Sequence, residues 1–315
     1  MIDIPFIDKH VFEYGRPERQ SRLVTRLTAD NPGPFTYTGT GVYMIGTDEV
    51  AIIDPGPITK AHTKALDEAL DGKTLTHILL THHHSDHSPM AKPLAQKTGC
   101  KIYGLSPKPQ DPRPQQNSDL NIKLDAGNDS GFAPDIQIKH GDIFKGGDVF
   151  KGNGWHLQAV HTPGHTSNHM CFALSEENTL FSGDHIMGWA TSVVIPPDGH
   201  MGDYLRSLHL VRDQNYDIIR PTHGPAITKV KAFIQAYIDH RLAREEQIYA
   251  AVVAGHHKIM DMVTHIYTDI DKRLYPAAAI SVLAHLVHLR EAGRVKCTAL
   301  SDNGKMTLKA HYFAF

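Results

Sequence analysis

The pattern of hydrophobic and polar residues predicts short strands that alternate with amphipathic helices. Small and β-branched residues flank a tight turn at 46–49, which favours a pair of strands. The elements predicted in the N-terminal third are two strands within 35–54, a helix at 59–70, a strand at 75–81, a helix at 86–97 and a strand at 101–105. Strands and helices in this order indicate a sheet covered by helices.

The same kind of pattern returns after a long irregular stretch. Residues 106–134 contain five prolines and little periodicity, so we expect a long loop there and treat it as a candidate lid. The elements predicted beyond it are strands at 136–139, 148–150, 155–161, 170–174 and 179–182, and helices at 204–213 and 232–254. Two successive blocks of strands and helices predict an α+β sandwich of two sheets flanked by helices.

The segment 255–315 has a different character. Helices are predicted at 258–266 and 276–292, and two short strands joined at Asn303-Gly304 form a hairpin after them. Helices followed by a hairpin are typical of a winged helix. The predicted parts of the chain are a main catalytic domain over 1–230, a connecting helix over 231–254 and a winged-helix-like domain over 255–315.

Composition narrows the class of protein. Of the 315 residues, 41% are hydrophobic, which excludes a mainly disordered chain. The formal net charge is −2, so the protein has no overall positive charge that would attract nucleic acid or an anionic membrane. Three widely separated cysteines exclude a disulfide framework and favour a reducing compartment. The N-terminus has no signal-peptide pattern and no apolar run is long enough to span a membrane, so we expect a cytoplasmic protein without membrane contact.

Histidine is frequent, with 23 copies, and the T-H-H-H-S-D-H motif at the end of a predicted strand gathers several of them. His82 and His84 alternate along an extended chain, so both side chains reach one metal. His83 should point away from them. Where the chain turns towards the next helix, Asp86 and His87 approach from another direction and suit a second metal.

Three further motifs carry residues of the metal-ligand type. They are H-T-P-G-H-T at 161–166, S-G-D-H at 182–185 and P-T-H-G-P at 221–225. With T-H-H-H-S-D-H and the V-A-I-I-D-P-G-P stretch around Asp54, this ordered set resembles the metallo-β-lactamase superfamily of metal-dependent hydrolases. The resemblance extends over about residues 20–230 and implies an αβ/βα sandwich of two mixed sheets with a dinuclear zinc site at one sheet edge.

The resemblance also implies a role for each ligand residue. The ligands implied for one metal are His82, His84 and His165. The ligands implied for the other are Asp86, His87 and His223. Asp184 would bridge the two metals, and Asp86 and Asp184 are the implied catalytic carboxylates. Asp54 would support the site from behind, by holding a ligand histidine in one tautomer.

This residue set accounts for hydrolysis without a side-chain nucleophile. Two metals that share a water would yield a hydroxide, and each metal would polarise the bond to be cleaved. Catalytic zinc keeps an open coordination position for water and substrate. We predict two zinc ions, while iron and manganese suit the same nitrogen and oxygen ligands.

Other histidines adjoin the motifs, and most of them are interpreted as structural. His169 and His185 are expected to line the pocket or to support the ligands. The G-H-M-G-D-Y run at 199–204 is expected near the substrate entrance, which makes His200 and Tyr204 candidates for substrate contact.

The substrate is less constrained than the chemistry. The superfamily includes β-lactamases, thioesterases, lactonases and nucleases, so the fold alone does not select among them. Asp184 favours the last three classes, because classical β-lactamases of the superfamily lack the bridging aspartate. We predict an ester, thioester or lactone-like small molecule as substrate, with weak β-lactamase activity as a side reaction.

An endoribonuclease acting on single-stranded RNA is the alternative. The H-R-L-A-R-E-E-Q-I stretch at 240–248 and the tail after it resemble the lactamase-B-like endoribonuclease subgroup. The segment 255–315 has a net charge of +3, and residues 1–254 therefore have a net charge of −5, which would repel RNA. The predicted helix at 276–288 contains no charged residue that could contact bases in a nucleic-acid groove. We interpret the segment 255–315 as a packing or dimerisation module. A homodimer is therefore one expected assembly, and RNA is the alternative partner.

A third hypothesis is that the whole protein is a binding module whose metals are purely structural.

Overall fold

The computed structural model describes residues 3–107, 127–148, 150–298 and 308–315. The strands described there are β1 (Pro17–Arg19), β2 (Val24–Thr28), β3 (Gly41–Ile45), β4 (Glu49–Ile53), β5 (Thr74–Leu79), β6 (Ile102–Gly104), β7 (Ile136–Gln137), β8 (Ile143–Gly146), β9 (Trp155–His161), β10 (Met170–Leu174), β11 (Thr179–Gly183), β12 (Ile218–Pro221), β13 (Val295–Cys297) and β14 (Tyr312–Ala314). The α-helices are α1 (Lys60–Leu70), α2 (Ala91–Thr98), α3 (Met201–Arg212), α4 (Val230–Val253), α5 (Ile259–Ile266) and α6 (Tyr275–Glu291). None of these helices combines the length and the apolar character needed to cross a membrane.

Two mixed sheets form the main domain. One has seven strands in the order β1 to β7, antiparallel as far as β4 and parallel from β4 onwards. The other has the order β12-β11-β10-β9-β8 and is parallel only between β11 and β12. The predicted α+β sandwich of two mixed sheets flanked by helices is thereby confirmed.

Apolar side chains fill three layers of this sandwich. Trp155, Phe172 and Phe181 lie in the cluster between the two sheets. Leu66 of α1 and Leu94 of α2 belong to the cluster that covers the outer face of the seven-stranded sheet. The helices α3 and α4 cover the outer face of the other sheet. Each sheet is therefore buried on both faces, which leaves its edges and strand ends for chemistry.

Several elements differ from the predicted ones. The pattern does not predict β2 and β12, because each contains a buried arginine, Arg26 and Arg220, that interrupts the apolar run. The short strand β1 is not predicted either. No strand forms at 148–150 in the described residues, where the carboxylate of Asp148 accepts the backbone N–H of Phe150 in a turn, and the neighbouring strand is β8.

The helix predicted at 86–97 begins only at Ala91. The preceding residues form turns, in which the N–H groups of His87 and Ser88 donate to the carbonyl oxygen of His84. These turns carry Asp86 and His87, so the helix begins only after the loop that holds the predicted ligands. Residues 108–126 of the candidate lid and the Asn303-Gly304 turn lie outside the described residues.

The C-terminal elements enclose a cluster of their own. Val263 of α5, Leu286 of α6 and Tyr312 of β14 are fully buried in it, and β13 pairs antiparallel with β14. The helix α6 also packs against α3 and α4. The apolar surface of α6 therefore packs within the chain. This agrees with the absence of charged residues at 276–288.

A buried carboxylate joins α4 to α6. Glu245 Oε2 lies 3.2 Å from His285 Nδ1 and 2.8 Å from His288 Nδ1. Burial raises the pKa of Glu245, but the hydrogen bonds from the two histidines outweigh burial and lower this pKa to about 2. The ionised carboxylate therefore stabilises the folded state at neutral pH.

The Glu245→Gln variant is expected to lose about 1.5–3 kcal/mol of unfolding free energy at neutral pH, because hydrogen bonds to a buried charge are removed. The carboxylate's contribution is complete above its unfolded pKa and is lost as the pH falls through its folded pKa. The deficit should therefore shrink as the pH falls from about 5 to about 2, as measured by urea denaturation. Glu246→Gln, which removes an exposed carboxylate paired with Arg294, is the control and should cost under about 1 kcal/mol. An equal deficit at both pH values would contradict this account.

Candidate metal centre

The seven predicted ligand residues come together at one edge of the sandwich. The loop after β5 carries four of them, and the loops after β9, β11 and β12 each carry one. All seven are buried, none with more than 9% of its surface exposed: His82, His84, Asp86, His87, His165, Asp184 and His223. Residues separated by up to 141 positions in the sequence thus form one cluster.

The first group of ligand atoms consists of three imidazole nitrogens and a carboxylate. His84 Nδ1 lies 2.9 Å from His82 Nε2 and 3.2 Å from His165 Nε2. Asp184 Oδ2 lies 3.8 Å from His165 Nε2. One ligand atom from each of these residues lies within 4.8 Å of the others, a spacing that suits a single metal ion.

The second group adds a further carboxylate. Asp86 Oδ2 lies 3.0 Å from His223 Nε2 and 3.3 Å from His87 Nε2. The Asp184 carboxylate faces this group as well, with Oδ1 3.4 Å from His223 Nε2 and Oδ2 3.5 Å from His87 Nε2. Asp184 is therefore the residue that contacts both groups.

Backbone carbonyls fix the tautomers of two ligand histidines. His165 Nδ1 lies 2.6 Å from the carbonyl oxygen of Val193, and His223 Nδ1 lies 3.1 Å from that of Gly39. A carbonyl oxygen only accepts hydrogen bonds, so each Nδ1 carries the proton and donates it. The Nε2 lone pair of each ring therefore faces the ligand cluster.

Asp54 fixes two more rings. Its Oδ2 lies 2.9 Å from His87 Nδ1 and accepts the hydroxyl proton of Thr81 at 2.6 Å. Since the Thr81 hydroxyl donates to Asp54, it accepts from His82 Nδ1 at 2.9 Å. Asp54 is fully buried in a left-handed conformation with φ of 49°, where its other oxygen accepts the Thr81 N–H. The structure thus places Asp54 directly behind the ligands.

These tautomers make the cluster unfavourable without a cation. Four Nε2 atoms and two carboxylates converge in a buried space. Burial lowers the pKa of His87 and of His223, but Asp86 and Asp184 outweigh burial and raise both, so protons on these rings take the place of a metal cation beside the carboxylates. His87 Nε2 and Asp184 Oδ1 have no hydrogen-bond partner in the described part of the chain. Burial also lowers the pKa of His82 and of His84 well below 6.5, which keeps both rings neutral. Imidazole and carboxylate ligands of this kind fit two divalent first-row metals.

His169 positions Asp184, the residue whose carboxylate faces both groups. The backbone N–H of Asp184 donates to His169 Nε2 at 3.2 Å, and His169 Nδ1 lies 2.9 Å from the Thr162 hydroxyl. A Cβ atom on Gly183 would lie 2.6 Å from His169 Nε2, which explains the glycine before Asp184. His83 points elsewhere and contacts Asn168 instead.

Three lesser candidates lie outside the ligand cluster. His200 caps the N-terminus of α3, where its Nδ1 accepts the N–H of Asp203 and its Nε2 lies 2.8 Å from Glu291 Oε2. Tyr204 is fully buried and donates to the carbonyl oxygen of His185 at 2.8 Å. Neither residue lines the cavity described below, because α3 packs behind the H-T-P-G-H-T turn, and substrate contact by His200 and Tyr204 stays a prediction. A Cβ on Gly164 would lie 2.3 Å from Tyr204 Cα.

His185 is buried against Tyr204, with ring centroids 5.1 Å apart. Its ring is also 6.1 Å from that of His169, which supports Asp184. His185 is therefore a packing residue behind the site and does not line the cavity described next.

A cavity of about 160 Å³ opens onto the ligands. Its lining combines five of the predicted ligand residues with a mainly apolar wall: Pro34, Phe35, His84, Asp86, His165, Asp184, Met187, Trp189, Ala190, Thr191, Val193 and His223. This lining contains no lysine or arginine among the described residues. Trp189 stacks on Tyr37, with ring centroids 4.7 Å apart. The wall residues lie in irregular loops, so no periodic signal marks them in the sequence.

Comparison with known proteins agrees with this geometry. Residues 38–223 match the metallo-beta-lactamase superfamily, and residues 259–302 match the beta-lactamase associated winged helix domain. The chain is 33% identical over 262 residues to a beta-lactamase-like protein 2 homologue of Caenorhabditis elegans, covering 80% of this chain and 79% of that protein. It is 32% identical over 301 residues to the Drosophila melanogaster homologue, covering 90% and 93%.

Two further likenesses bear on activity and fold. Thioesterase pkgB of Emericella nidulans is 33% identical over 234 residues, covering 73% of this chain and 59% of that protein. The crystal structure of a beta-lactamase domain protein from Burkholderia ambifaria has a TM-score of 0.77 at 20% identity, covering 99% of this chain and 97% of that one. The resemblance found in the sequence motifs is confirmed: the chain belongs to the metallo-β-lactamase superfamily of hydrolases and has a winged helix domain at its C-terminal end.

Proposed function

We propose that this hydrolase cleaves an ester or thioester bond in a small molecule, with lactones as related substrates. The observation that carries the proposal is the opening of a two-group ligand cluster onto a small apolar cavity. An apolar wall beside polar reacting groups is typical of a site that binds an acyl group. The similarity to a protein named as a thioesterase supports the same class of substrate.

The chain's own residues have distinct tasks in this proposal. When bound, two divalent metals would supply hydroxide near neutral pH and polarise the substrate carbonyl. Burial raises the pKa of Asp86 and of Asp184, but His87 and His223 outweigh burial and lower both, so both carboxylates are anionic ligands at neutral pH. The wall at Met187, Trp189 and Val193 excludes water and orients the acyl group.

We propose zinc as the metal in both positions. Five imidazoles and two carboxylates are nitrogen and oxygen ligands that zinc accepts readily, and the cavity beside them leaves space for water and substrate. Iron and manganese suit the same donors, so elemental analysis of the purified protein is part of the test.

The endoribonuclease alternative has weaker support. Single-stranded RNA is bound through cationic grooves and stacked bases. The described cavity lining has no lysine or arginine, and about 160 Å³ suits an acyl group better than a polynucleotide. RNA therefore remains a test substrate and the less favoured one.

A substrate panel tests the proposed function directly. Zinc-loaded protein is assayed on an acyl thioester, an aryl ester, a lactone, a β-lactam and a single-stranded RNA oligonucleotide. We expect turnover of the thioester or ester that disappears after chelation and returns with zinc. Turnover of RNA alone, or of none of these substrates with metal bound, would overturn the proposal.

The Ala190→Leu variant is expected to raise KM for a thioester with a bulky acyl group by roughly 5- to 10-fold, because the larger side chain takes up part of the cavity. KM for an acetyl thioester should change less. Steady-state kinetics with both substrates measure the difference. Ala250→Leu, an exposed alanine on α4, is the control and should change neither KM. Equal effects on both substrates would show that Ala190 does not limit the acyl group.

A further inference from the structure

One wall of the cavity is an irregular segment that we call the cavity wall, residues 187–193. Five of its seven residues line the cavity, and it contains neither helix nor strand. Its last residue, Val193, provides the carbonyl oxygen that accepts from His165 Nδ1 at 2.6 Å. The position of the cavity wall therefore determines both the shape of the cavity and the orientation of one ligand histidine.

Side chains from α4 hold this segment in place. The fully buried hydroxyl of Tyr237 lies 2.6 Å from the carbonyl oxygen of Met187 and also contacts that of Ala190. The same hydroxyl oxygen accepts the N–H of Met187 at 3.2 Å. One phenol thus connects two points of the cavity wall, and the ring is fixed by packing against Phe6 and Phe233.

Arg241 contacts the cavity wall one turn further along α4. Its Nη2 donates to the carbonyl oxygen of Ser192, and the side chain is 5% exposed. The guanidinium carbon lies 5.4 Å from the centre of the Tyr204 ring, which covers it. Ser192 directly precedes Val193, so this hydrogen bond fixes the peptide that leads to the His165 contact.

We propose that Tyr237 and Arg241 are positioning residues of the metal centre. They lie outside the region that matches the superfamily domain, residues 38–223, yet they hold the cavity wall and through it His165. The connecting helix is then part of the catalytic unit as well as a link to the winged helix domain. This inference rests on the proposed function only in assigning metal ligands to His165 and its neighbours.

The test compares two buried arginines on the same helix. Arg241→Met removes the hydrogen bond to Ser192, whereas Arg244→Met removes a guanidinium that lies 4.2 Å from the ring centre of Tyr267 in the C-terminal part. Zinc binding to the metal-free proteins is measured by competition with a chromophoric chelator. We expect Arg241→Met to raise the zinc Kd by about 10-fold and Arg244→Met to leave it unchanged.

A spectroscopic measurement separates positioning from loss of stability. The visible absorption of the cobalt-substituted full chain should change in Arg241→Met and match wild type in Arg244→Met. Arg241→Lys keeps a donor and should recover part of the zinc affinity. Tyr237→Phe removes only the hydroxyl and should raise the zinc Kd in the same direction.

The outcomes distinguish this inference from the proposed function. Wild-type zinc affinity in Arg241→Met, or equal losses in both arginine variants, would overturn the positioning role while leaving hydrolysis intact. If Arg241→Met does not fold, Arg241→Lys and Tyr237→Phe decide by the same measurements. A wild-type chain that binds zinc but turns over no substrate would overturn the proposed function alone.

Discussion

The Asp184→Asn variant is expected to lose at least about 10³-fold in kcat/KM, equivalent to about 4 kcal/mol of transition-state stabilisation. Asp184 is the residue whose carboxylate faces both ligand groups, within 3.4–3.8 Å of His223, His87 and His165. The amide keeps the shape of the side chain but removes its negative charge. Two adjacent divalent cations would then lose the anion between them.

The measurement combines zinc stoichiometry with steady-state kinetics on the substrate that wild type turns over. Asp184→Ala and His84→Ala should also reduce bound metal and abolish hydrolysis, while circular dichroism stays close to wild type. Asp217→Asn, an exposed position before β12, is the control and should retain activity. Full activity in Asp184→Asn or His84→Ala would refute the assignment of the ligands.

Replacement of Asp54 by asparagine is expected to weaken zinc binding by up to about 100-fold. The carboxylate accepts from His87 Nδ1 and from the Thr81 hydroxyl that orients His82, so one side chain supports a ligand in each group. Asparagine tolerates the left-handed backbone at φ of 49°, so the substitution changes chemistry with little backbone strain.

Competitive chelator titration measures this loss, and kcat/KM at saturating zinc shows whether geometry is also disturbed. Asp135→Asn is the matched control, since this aspartate accepts the N–H of Ile102 at the far end of the seven-stranded sheet. Its zinc affinity should equal that of wild type. An unchanged zinc Kd in Asp54→Asn would show that the histidines keep their orientation without the carboxylate.

The clustering of the seven candidate ligands could be predicted because each lies in a short motif at the end of a strand. Side-chain alternation along a strand separates His82 and His84 from His83, and the structure shows the same separation. The cavity wall could not be predicted in this way. Its position depends on Tyr237 and Arg241, which are 44 or more positions beyond Val193 and belong to a helix whose apolar residues suggest only packing.

Closeness in sequence to the motifs is a weaker guide to position than the motifs themselves. His200 is close in sequence to the motifs, but its ring caps α3 and contacts Glu291 of α6, a contact that only tertiary structure brings about. Tyr204 lies beside the ligand turn but behind it, so proximity alone does not indicate substrate contact. The strands β2 and β12 are not predicted from the sequence, because each contains a buried arginine and strands of the usual apolar pattern do not.

The convergence of buried lone pairs at this sheet edge links folding to metal supply. A metal that binds only the folded chain adds RT ln(1 + [metal]/Kd) to the unfolding free energy, about 2.7 kcal/mol at 100 times Kd. Each further tenfold rise in free metal adds about 1.4 kcal/mol. Four strand ends from two sheets meet at the cluster, so this gain acts on the sandwich as a whole. A supply of metal ion would thereby increase the resistance of the folded chain to denaturation as well as the fraction of it that is active.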